Sequence, residues 1–272
     1  MPILPPYAQM VGGSLQAAGV VMGAYGLSQL LLRIPLGIWV DYLGSRRPFI
    51  FLGFVLDGAA SLGLIFSQST AMLFLSVFTA GMAASMWVAF TILFASYFPL
   101  GQVGRSMGMI MFCTRLSQAV TNYAGGAIAE RWGWEGPFYA GAVLSLLGLF
   151  LTIGIPERRP EKVSPFSFKH FRLVGRNPRL LTVTALGILI QFAISSTTSA
   201  FTPIYAQRIG ASKEELGILL FAFMVSTMLA SLLSGIYARR LLSERAVIVI
   251  GHFLVAGALL PIPLVGNLGT LY

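Results

Sequence analysis

The sequence predicts an all-α integral membrane protein, and two observations support this prediction. Of the 272 residues, 56% are hydrophobic and 10% are charged, and the mean hydropathy is +0.81. A soluble domain carries about 25% charged residues, so this chain has too few to cover a surface in water. The apolar residues also form runs close to the length of about 20 residues that a bilayer-crossing helix needs.

Eight such runs predict eight transmembrane helices, at 15–39, 48–66, 71–97, 104–128, 136–155, 180–205, 213–238 and 246–264. The longest gap, residues 156–179, holds seven basic residues and is typical of a linker between two halves. We therefore expect an N-terminal bundle at 1–155, a linker at 156–179 and a partial C-terminal bundle at 180–272. The first thirteen residues lack a basic n-region, so they do not resemble a signal peptide.

The net charge of +9 is distributed unevenly among the loops. One alternate set of loops holds thirteen Lys and Arg residues and the other set holds three, while Arg33 and Arg115 lie inside predicted helices. The positive-inside rule places the first set, including the linker, in the cytoplasm. This distribution accounts for the basic composition without a nucleic-acid partner.

Enzyme chemistry has little support in the sequence. The single cysteine, Cys113, excludes a disulfide framework and a thiolate metal site. The two histidines, His170 and His252, stand in no catalytic motif, and the phosphate-binding sequence G-x-x-x-x-G-K-[ST] is absent. We expect no enzyme activity, no cofactor and no metal.

An internal repeat connects the two halves. With a shift of 198 residues, segment 14–47 falls on segment 212–245 without a gap, and ten positions are identical. The identical pairs include Ser14 and Ser212, Gly19 and Gly217, and Gly37 and Gly235. Chance similarity between apolar helices explains matched leucines but not matched glycines and loop residues, so the pattern predicts a duplication.

The repeat also predicts helices beyond this chain. Pro203 and Tyr205 end a predicted helix, so Pro5 and Tyr7 should also end one, which would begin before Met1. Tyr272 corresponds to a position barely inside the third predicted span, so three further helices would follow. We expect twelve helices in two halves of six, and we expect this chain alone not to transport.

Between the first two predicted helices the sequence reads Gly37-Ile-Trp-Val-Asp41-Tyr-Leu-Gly44-Ser-Arg46-Arg47. It resembles the G-x-x-x-D-x-x-G-x-R-R/K signature of the major facilitator superfamily, which follows helix 2 of that fold. The missing first helix would then be helix 1 of the family. Further similarities are Gly104-Arg105 opening helix 5, Trp132-Gly133-Trp134 before helix 6 and Pro156-Glu157 at the end of helix 6.

The resemblance implies that Gly37, Asp41, Gly44, Arg46 and Arg47 form a cytoplasmic gate. Gly37 and Asp41 share one helix face, where a glycine allows another helix to approach closely. Asp41 can then cap the N-terminus of the facing helix, which is helix 11 in the family and absent here. Arg46 and Arg47 can bind carboxylates or lipid phosphates.

Several positions depart from the patterns of the family. The second copy of the signature has Arg239 and Leu242 in place of Asp and Gly, and Tyr42 stands where Arg is commonest. The helix 5 motif of drug–proton antiporters has Gly-Pro where this chain has Thr121 and Asn122. These departures weaken the interpretation as an antiporter without excluding efflux.

Polar residues inside the predicted helices are candidate substrate ligands. Arg115 lies ten residues from Arg105 and therefore about 15 Å into the membrane, with Gln118 and Asn122 on the same face. The other candidates are Gln29 in helix 2, Trp87 in helix 4, and Gln191, Ser195 and Thr198 in helix 7. The resemblance places helices 1, 2, 4, 5, 7 and 8 around the cavity and helices 3, 6 and 9 outside.

Structural roles are the alternative for these residues. Arg115 could pair with Asp57 of helix 3 rather than with a solute. Ser195 and Thr198 could bond carbonyls of their own helix, and Trp87 could serve packing alone. Arg33 lies close to the end of its helix and could extend to the interface.

The resemblance implies a secondary active transporter that works by alternating access in a bacterial-type inner membrane. Its partners would be a small solute, a coupling ion such as a proton, and lipid; a monomer is expected. The guanidinium of Arg115 favours an anionic or carboxylate-bearing solute. The alternatives are a drug or metabolite efflux permease of the same fold and a membrane receptor that transports nothing.

Overall fold

The computed structural model describes residues 3–99, 101–157, 176–233 and 244–260. These residues form helices and no strand, which confirms the all-α prediction. Their bounds are α1 Leu4–Gly12, α2 Leu15–Leu43, α3 Arg47–Ile65, α4 Thr70–Ser85, α5 Trp87–Ser96, α6 Val103–Trp132, α7 Gly136–Ile153, α8 Pro178–Ile194, a π segment Ser195–Phe201, α9 Thr202–Arg208, α10 Lys213–Leu233 and α11 Glu244–Leu259.

Every predicted span contains a helix. Within the described ranges, five helical stretches are long and apolar enough to cross a membrane: Leu15–Leu43, Arg47–Ile65, Thr70–Ser96, Gly136–Ile153 and Leu180–Arg208. Several crossings in one chain are the mark of a multi-pass membrane protein. Most of the predicted linker, the ends of the last two predicted spans, and Arg239 and Leu242 of the second motif copy lie outside the described residues.

The chain divides into two compact units. One contains Tyr7–Cys113 and Trp132–Phe168, and we call it the α3 unit after one of its helices. The other contains Met1–Pro6, Thr114–Arg131 and Lys169–Tyr272, and we call it the α10 unit. The long helix α6 contributes residues to both units.

In the α3 unit, α4 packs against both α2 and α3, and α3 also packs against α7. Small residues permit the close crossings. A Cβ at Gly81 of α4 would stand 1.9 Å from Ser28 Oγ and 2.5 Å from the carbonyl oxygen of Tyr25. An apolar cluster lies near the Arg47 end of α3 and comprises Leu36, Val40, Phe49, Ile50, Met86, Ala89 and Leu93.

The two copies of the repeat begin their long helices in the same way. Ser14 accepts a hydrogen bond from the Ala17 amide at the start of α2. Ser212 accepts one from the Glu215 amide at the start of α10, and the Glu215 carboxylate accepts from the Ser212 amide at 2.7 Å. The matched serines of the sequence repeat are therefore matched helix caps, and the second copy adds a reciprocal acidic cap.

Two predicted helices are interrupted. The span predicted at 71–97 is divided at Met86 into α4 and α5. The span predicted at 180–205 changes from α8 into the π segment Ser195–Phe201 and then into α9. Runs of Ser and Thr compete for main-chain carbonyls, and within this region Thr202 Oγ1 donates to the carbonyl oxygen of Thr197 at 3.0 Å.

Candidate functional site

The signature loop joins α2 to α3 and is shaped by Gly44. Gly44 has φ of 61°, and its amide donates to the Val40 carbonyl at 3.1 Å. This left-handed conformation ends α2 at low cost only for a residue without a Cβ. The second glycine of the signature therefore has a backbone role that the motif alone did not reveal.

Glu157, which follows α7, holds this loop. Its carboxylate accepts hydrogen bonds from Ser45 Oγ at 2.9 Å and from the main-chain amides of Arg46 and Arg47. The Arg47 guanidinium also donates to the carbonyl oxygen of Ile153 on α7. The carboxylate lies at the N-terminus of α3, where the helix dipole favours a negative charge.

Gly37 and Asp41 have few close neighbours in this unit. A Cβ at Gly37 would meet Val88 at 3.9 Å, an ordinary van der Waals distance, so no tight crossing occurs there among the described residues. Asp41 is exposed on the last turns of α2. The role of Asp41 as a cap for a facing helix stays a prediction.

Arg115 and Gln118 lie together on α6. The Arg115 guanidinium donates to Gln118 Oε1 at 3.1 Å, and both side chains are exposed. Asn122, placed on the same face by its spacing, is 7% exposed. It lies where α6 crosses α10, since a Cβ at Gly217 would stand 2.8 Å from the Asn122 carbonyl oxygen.

The α6–α10 crossing is close because both helices have glycine there. A Cβ at Gly126 would stand 2.6 Å from the Lys213 carbonyl oxygen and 2.8 Å from Gly217 Cα. One turn further along α6, the Glu130 carboxylate accepts from the Lys213 amide at 3.0 Å. A carboxylate at the first turn of α10 again complements the helix dipole.

Gln191 and Ser195 also form a pair, in which Gln191 Nε2 donates to Ser195 Oγ at 2.9 Å. Thr198 is half-buried in the π segment. The alternative of bonding to main-chain carbonyls is seen at the neighbouring Ser196 and Thr197, which donate to Phe192 and Ala193 respectively.

The two remaining candidates belong to the α3 unit. Gln29 is half-buried on α2. Trp87 packs on Phe90 with ring centroids 5.6 Å apart, which agrees with the packing alternative while leaving a role toward solute untested.

Sequence reasoning missed three groups: Glu157, the Glu130 contact with α10, and Ser145. Ser145 Oγ of α7 lies 2.7 Å from Asp57 Oδ2 of α3. In the sequence, Glu157 is recognisable only as an acidic residue that follows a predicted helix, which is a weak indication of its contact with the signature loop. The other two contacts depend on which helices pack together, and no spacing within one helix shows that.

Comparison with known proteins agrees with this architecture. The sequence model of the Major Facilitator Superfamily matches residues 1–272. The MFS-type transporter SLC18B1 of Mus musculus is 25% identical over 97% of this chain and 59% of its own length. The quinolone resistance protein NorA of Staphylococcus aureus is 25% identical over 80% of this chain and 57% of its own length.

An uncharacterized MFS-type transporter of Methanocaldococcus jannaschii is 26% identical over 56% of this chain. The chain spans between 39% and 59% of the length of these relatives. The family match covers every residue of the chain, the signature loop included. The chain is a multi-pass membrane protein that belongs to the major facilitator superfamily.

Proposed function

We propose that the chain is the larger part of a secondary active transporter that moves a small solute by alternating access, and that the solute carries a carboxylate or another anionic group. The observation that carries the proposal is the exposed Arg115 guanidinium near the middle of α6, hydrogen-bonded to Gln118 of the same helix. Three relatives that are named as MFS-type transporters or as a quinolone resistance protein support the general class.

In this proposal α6 crosses the membrane, as the apolar run at 104–128 predicts, and Arg115 then occupies a position that is costly for a residue without function. An Arg at the centre of a membrane helix costs about 2.5–3.5 kcal/mol even on the insertion scale that gives the lowest values. Arg115 lies twelve residues from the start of α6 at Val103, about 18 Å along the helix axis. A guanidinium offers paired donors to a carboxylate, and in this structure one nitrogen of the guanidinium donates to Gln118 Oε1.

The signature loop has a separate role in this proposal. Glu157 fixes the loop to α7, and Asp41 on the preceding helix stays exposed. We assign Asp41 to the gate that closes one side of the cavity and not to the solute site. The gate side is the cytoplasmic side, as the distribution of basic residues predicts.

A drug efflux permease of the same fold is the second candidate, because NorA is similar over 80% of this chain. The two candidates differ in the charge of the preferred solute. A thermal-shift screen of the full-length protein against carboxylates, phosphates and lipophilic cations separates them, because a ligand that binds the folded state raises its stability. Stabilisation by anions supports our proposal, and stabilisation by lipophilic cations alone supports efflux of drugs.

Uptake into proteoliposomes then distinguishes both candidates from a receptor. A solute that stabilises the full-length protein should also cross the membrane when the protein is present. Binding without any flux would contradict transport and support the receptor alternative.

A further inference from the structure

Helix α6 is divided between the two compact units. Its second part, Thr114–Arg131, belongs to the α10 unit together with α10, while its residues up to Cys113 belong to the α3 unit. In the sequence, α6 falls in the predicted N-terminal bundle and α10 in the predicted C-terminal bundle. The crossing of α6 and α10 therefore joins helices of both predicted halves, and a transporter that rocks its halves must part such a crossing during its cycle.

One face of α6 meets α10. Ala119, Asn122, Gly126 and Ala129 follow one another at spacings of three and four residues, which places them on one side of the helix, and all four are buried. A Cβ at Gly126 would stand 3.0 Å from the amide nitrogen of Gly217 on α10. These are packing contacts, which can part without leaving a charged group buried.

The end of α6 makes two polar contacts with the start of α10. The Glu130 carboxylate accepts a hydrogen bond from the Lys213 amide at 3.0 Å, and the Lys213 ammonium donates to the carbonyl oxygen of Ala129 at 3.3 Å. Lys213 is the first residue of α10, so no carbonyl within that helix can accept its amide hydrogen. Glu130 therefore caps α10 from a different helix, at the end where the helix dipole favours a negative charge.

Helix α10 has a cap of its own that does not involve Glu130. The Glu215 amide donates to Ser212 Oγ at 3.2 Å, and the Ser212 amide donates to the Glu215 carboxylate at 2.7 Å. Both bonds lie within one segment and persist when α6 moves away. Because Glu130 is exposed, its carboxylate and the Lys213 amide can exchange their bond for bonds to water. The Glu130 contact is therefore a joint between two helices that can be broken at small cost.

This joint lies at the ends of α6 and α10 that are opposite the basic loops. Arg131, which follows Glu130, and Lys213 belong to the set of loops with three basic residues. The positive-inside rule places that set on the extracellular side.

We propose that Glu130 is an extracellular latch, whose bond to the first amide of α10 holds α6 against α10 in the conformation that is closed to the outside. This inference rests on the alternating-access function proposed above. The bond must break before the extracellular side opens, so its removal shifts the protein toward the outward-open conformation. Glu130 is in this account a residue of the conformational equilibrium and not a ligand of the solute.

Thiol labelling of the full-length protein in intact cells tests the latch. Ala129→Cys, in a protein whose other cysteines, including Cys113, are replaced by serine, places one thiol on the buried face of α6. The rate of its reaction with an impermeant maleimide added outside measures how often the crossing opens. Glu130→Ala should raise this rate about fivefold, the ratio that corresponds to the loss of one helix cap.

Substitutions at the start of α10 separate the carboxylate contact from the contact of the Lys213 ammonium. Lys213→Pro removes the amide hydrogen that Glu130 accepts, and α10 should persist because proline is favoured at the first position of a helix. It should raise the rate as much as Glu130→Ala, and the double variant should react no faster than either single variant. Lys213→Ala keeps the amide, and Glu214→Ala removes an exposed carboxylate of the same turn. Both controls should react within about twofold of the reporter protein alone.

Several outcomes would contradict the latch. A rate that does not rise in Glu130→Ala, or a double variant in which the two increases multiply, would refute it. An equal rise in Lys213→Ala would assign the joint to the lysine side chain instead of Glu130. Labelling that requires the reagent on the cytoplasmic side would place the contact on the wrong side of the membrane.

Ala119→Cys, on the same face of α6, is the second reporter in case Ala129→Cys does not fold. Solute flux is measured on the same proteins to separate the two proposals. Absence of flux in the reporter protein and in wild type, with labelling rates that follow Glu130, would refute the proposed function and support the latch. Flux with labelling rates that ignore Glu130 would refute the latch alone.

Discussion

Asp57 and Arg115 are both charged residues far from the ends of long helices, yet their partners differ. Asp57 of α3 lies 2.7 Å from a hydroxyl on a second helix, α7. The Arg115 guanidinium donates to Gln118, three residues along the same helix. A group bonded across a helix crossing contributes to packing, whereas a group satisfied by its own helix is still able to meet a solute. We therefore expect the location of the partner to predict which of the two groups can meet a solute, which depth in the membrane does not.

The same contrast divides the other polar pairs. Glu157 and Glu130 each accept main-chain amides at the start of another helix, so they join elements distant in sequence. Gln191 and Ser195 bond one turn apart on α8 and the π segment. We expect substitutions in pairs that join elements distant in sequence to lower stability. Substitutions in pairs one turn apart should instead change solute binding.

The largest expected effect on stability is that of Glu157→Ala. Three donors lose a charged acceptor, and the free energy of unfolding should fall by about 3 kcal/mol. Glu135→Ala is the control, because Glu135 is also acidic and lies at the other end of α7 but is exposed. Denaturant unfolding in detergent measures both. Equal losses of unfolding free energy in the two variants would contradict the distinction between hydrogen-bonded and exposed carboxylates.

Gly126→Ala should lower stability by about 2 kcal/mol, as expected when a close crossing is overpacked. The added Cβ would stand 2.6 Å from the Lys213 carbonyl oxygen, which is main chain and has little freedom to move. Gly125→Ala is the adjacent control, because a Cβ there meets nothing within 4 Å and alanine favours the helix. Thermal unfolding should rank Gly125→Ala above the wild type and Gly126→Ala below it.

Asp41→Asn tests the gate. In the full-length protein we expect transport to slow about tenfold, equivalent to about 1.4 kcal/mol in the barrier, while solute affinity changes by less than a few fold. Flux into proteoliposomes and equilibrium binding are measured on the same preparation. A loss of binding as large as the loss of flux would move Asp41 into the solute site.

Ser195→Ala should have the smallest effect on stability, within about 0.5 kcal/mol, because it removes one bond between exposed residues that lie one turn apart. Solute binding sharpens the comparison, since a residue of the cavity should change affinity without a matching change in stability. A large loss of stability would instead make the Gln191–Ser195 pair a structural part of the π segment.

Much of the fold could be predicted because apolar length is a strong local signal. The helices appeared where the runs of apolar residues lay, and the repeat correctly matched Ser14 with Ser212, both of which cap helices. The break at Met86 and the π segment at Ser195–Phe201 were missed, since both lie within apolar or Ser/Thr-rich runs that look continuous.

The candidate site was less predictable because it depends on contacts between helices. Helical spacing correctly brought Arg115 and Gln118 together. It also grouped Asn122 with them, and the structure buries that residue at the α6–α10 crossing. Whether a polar residue faces a cavity or a neighbouring helix is decided by packing, which spacing within one helix does not report.

The central claim is that Arg115 recognises the solute, and one comparison of variants tests it most directly. Arg115→Lys keeps the charge but loses the paired donors, so the full-length protein should bind the anionic solute found by thermal shift at least about tenfold more weakly, a loss of about 1.4 kcal/mol. Stability should stay near that of the wild type. The contrary account pairs Arg115 with Asp57. That account predicts that the double variant Arg115→Ala/Asp57→Ala regains the folding and activity that either single variant loses. Such a rescue, with solute affinity unchanged, would contradict our assignment.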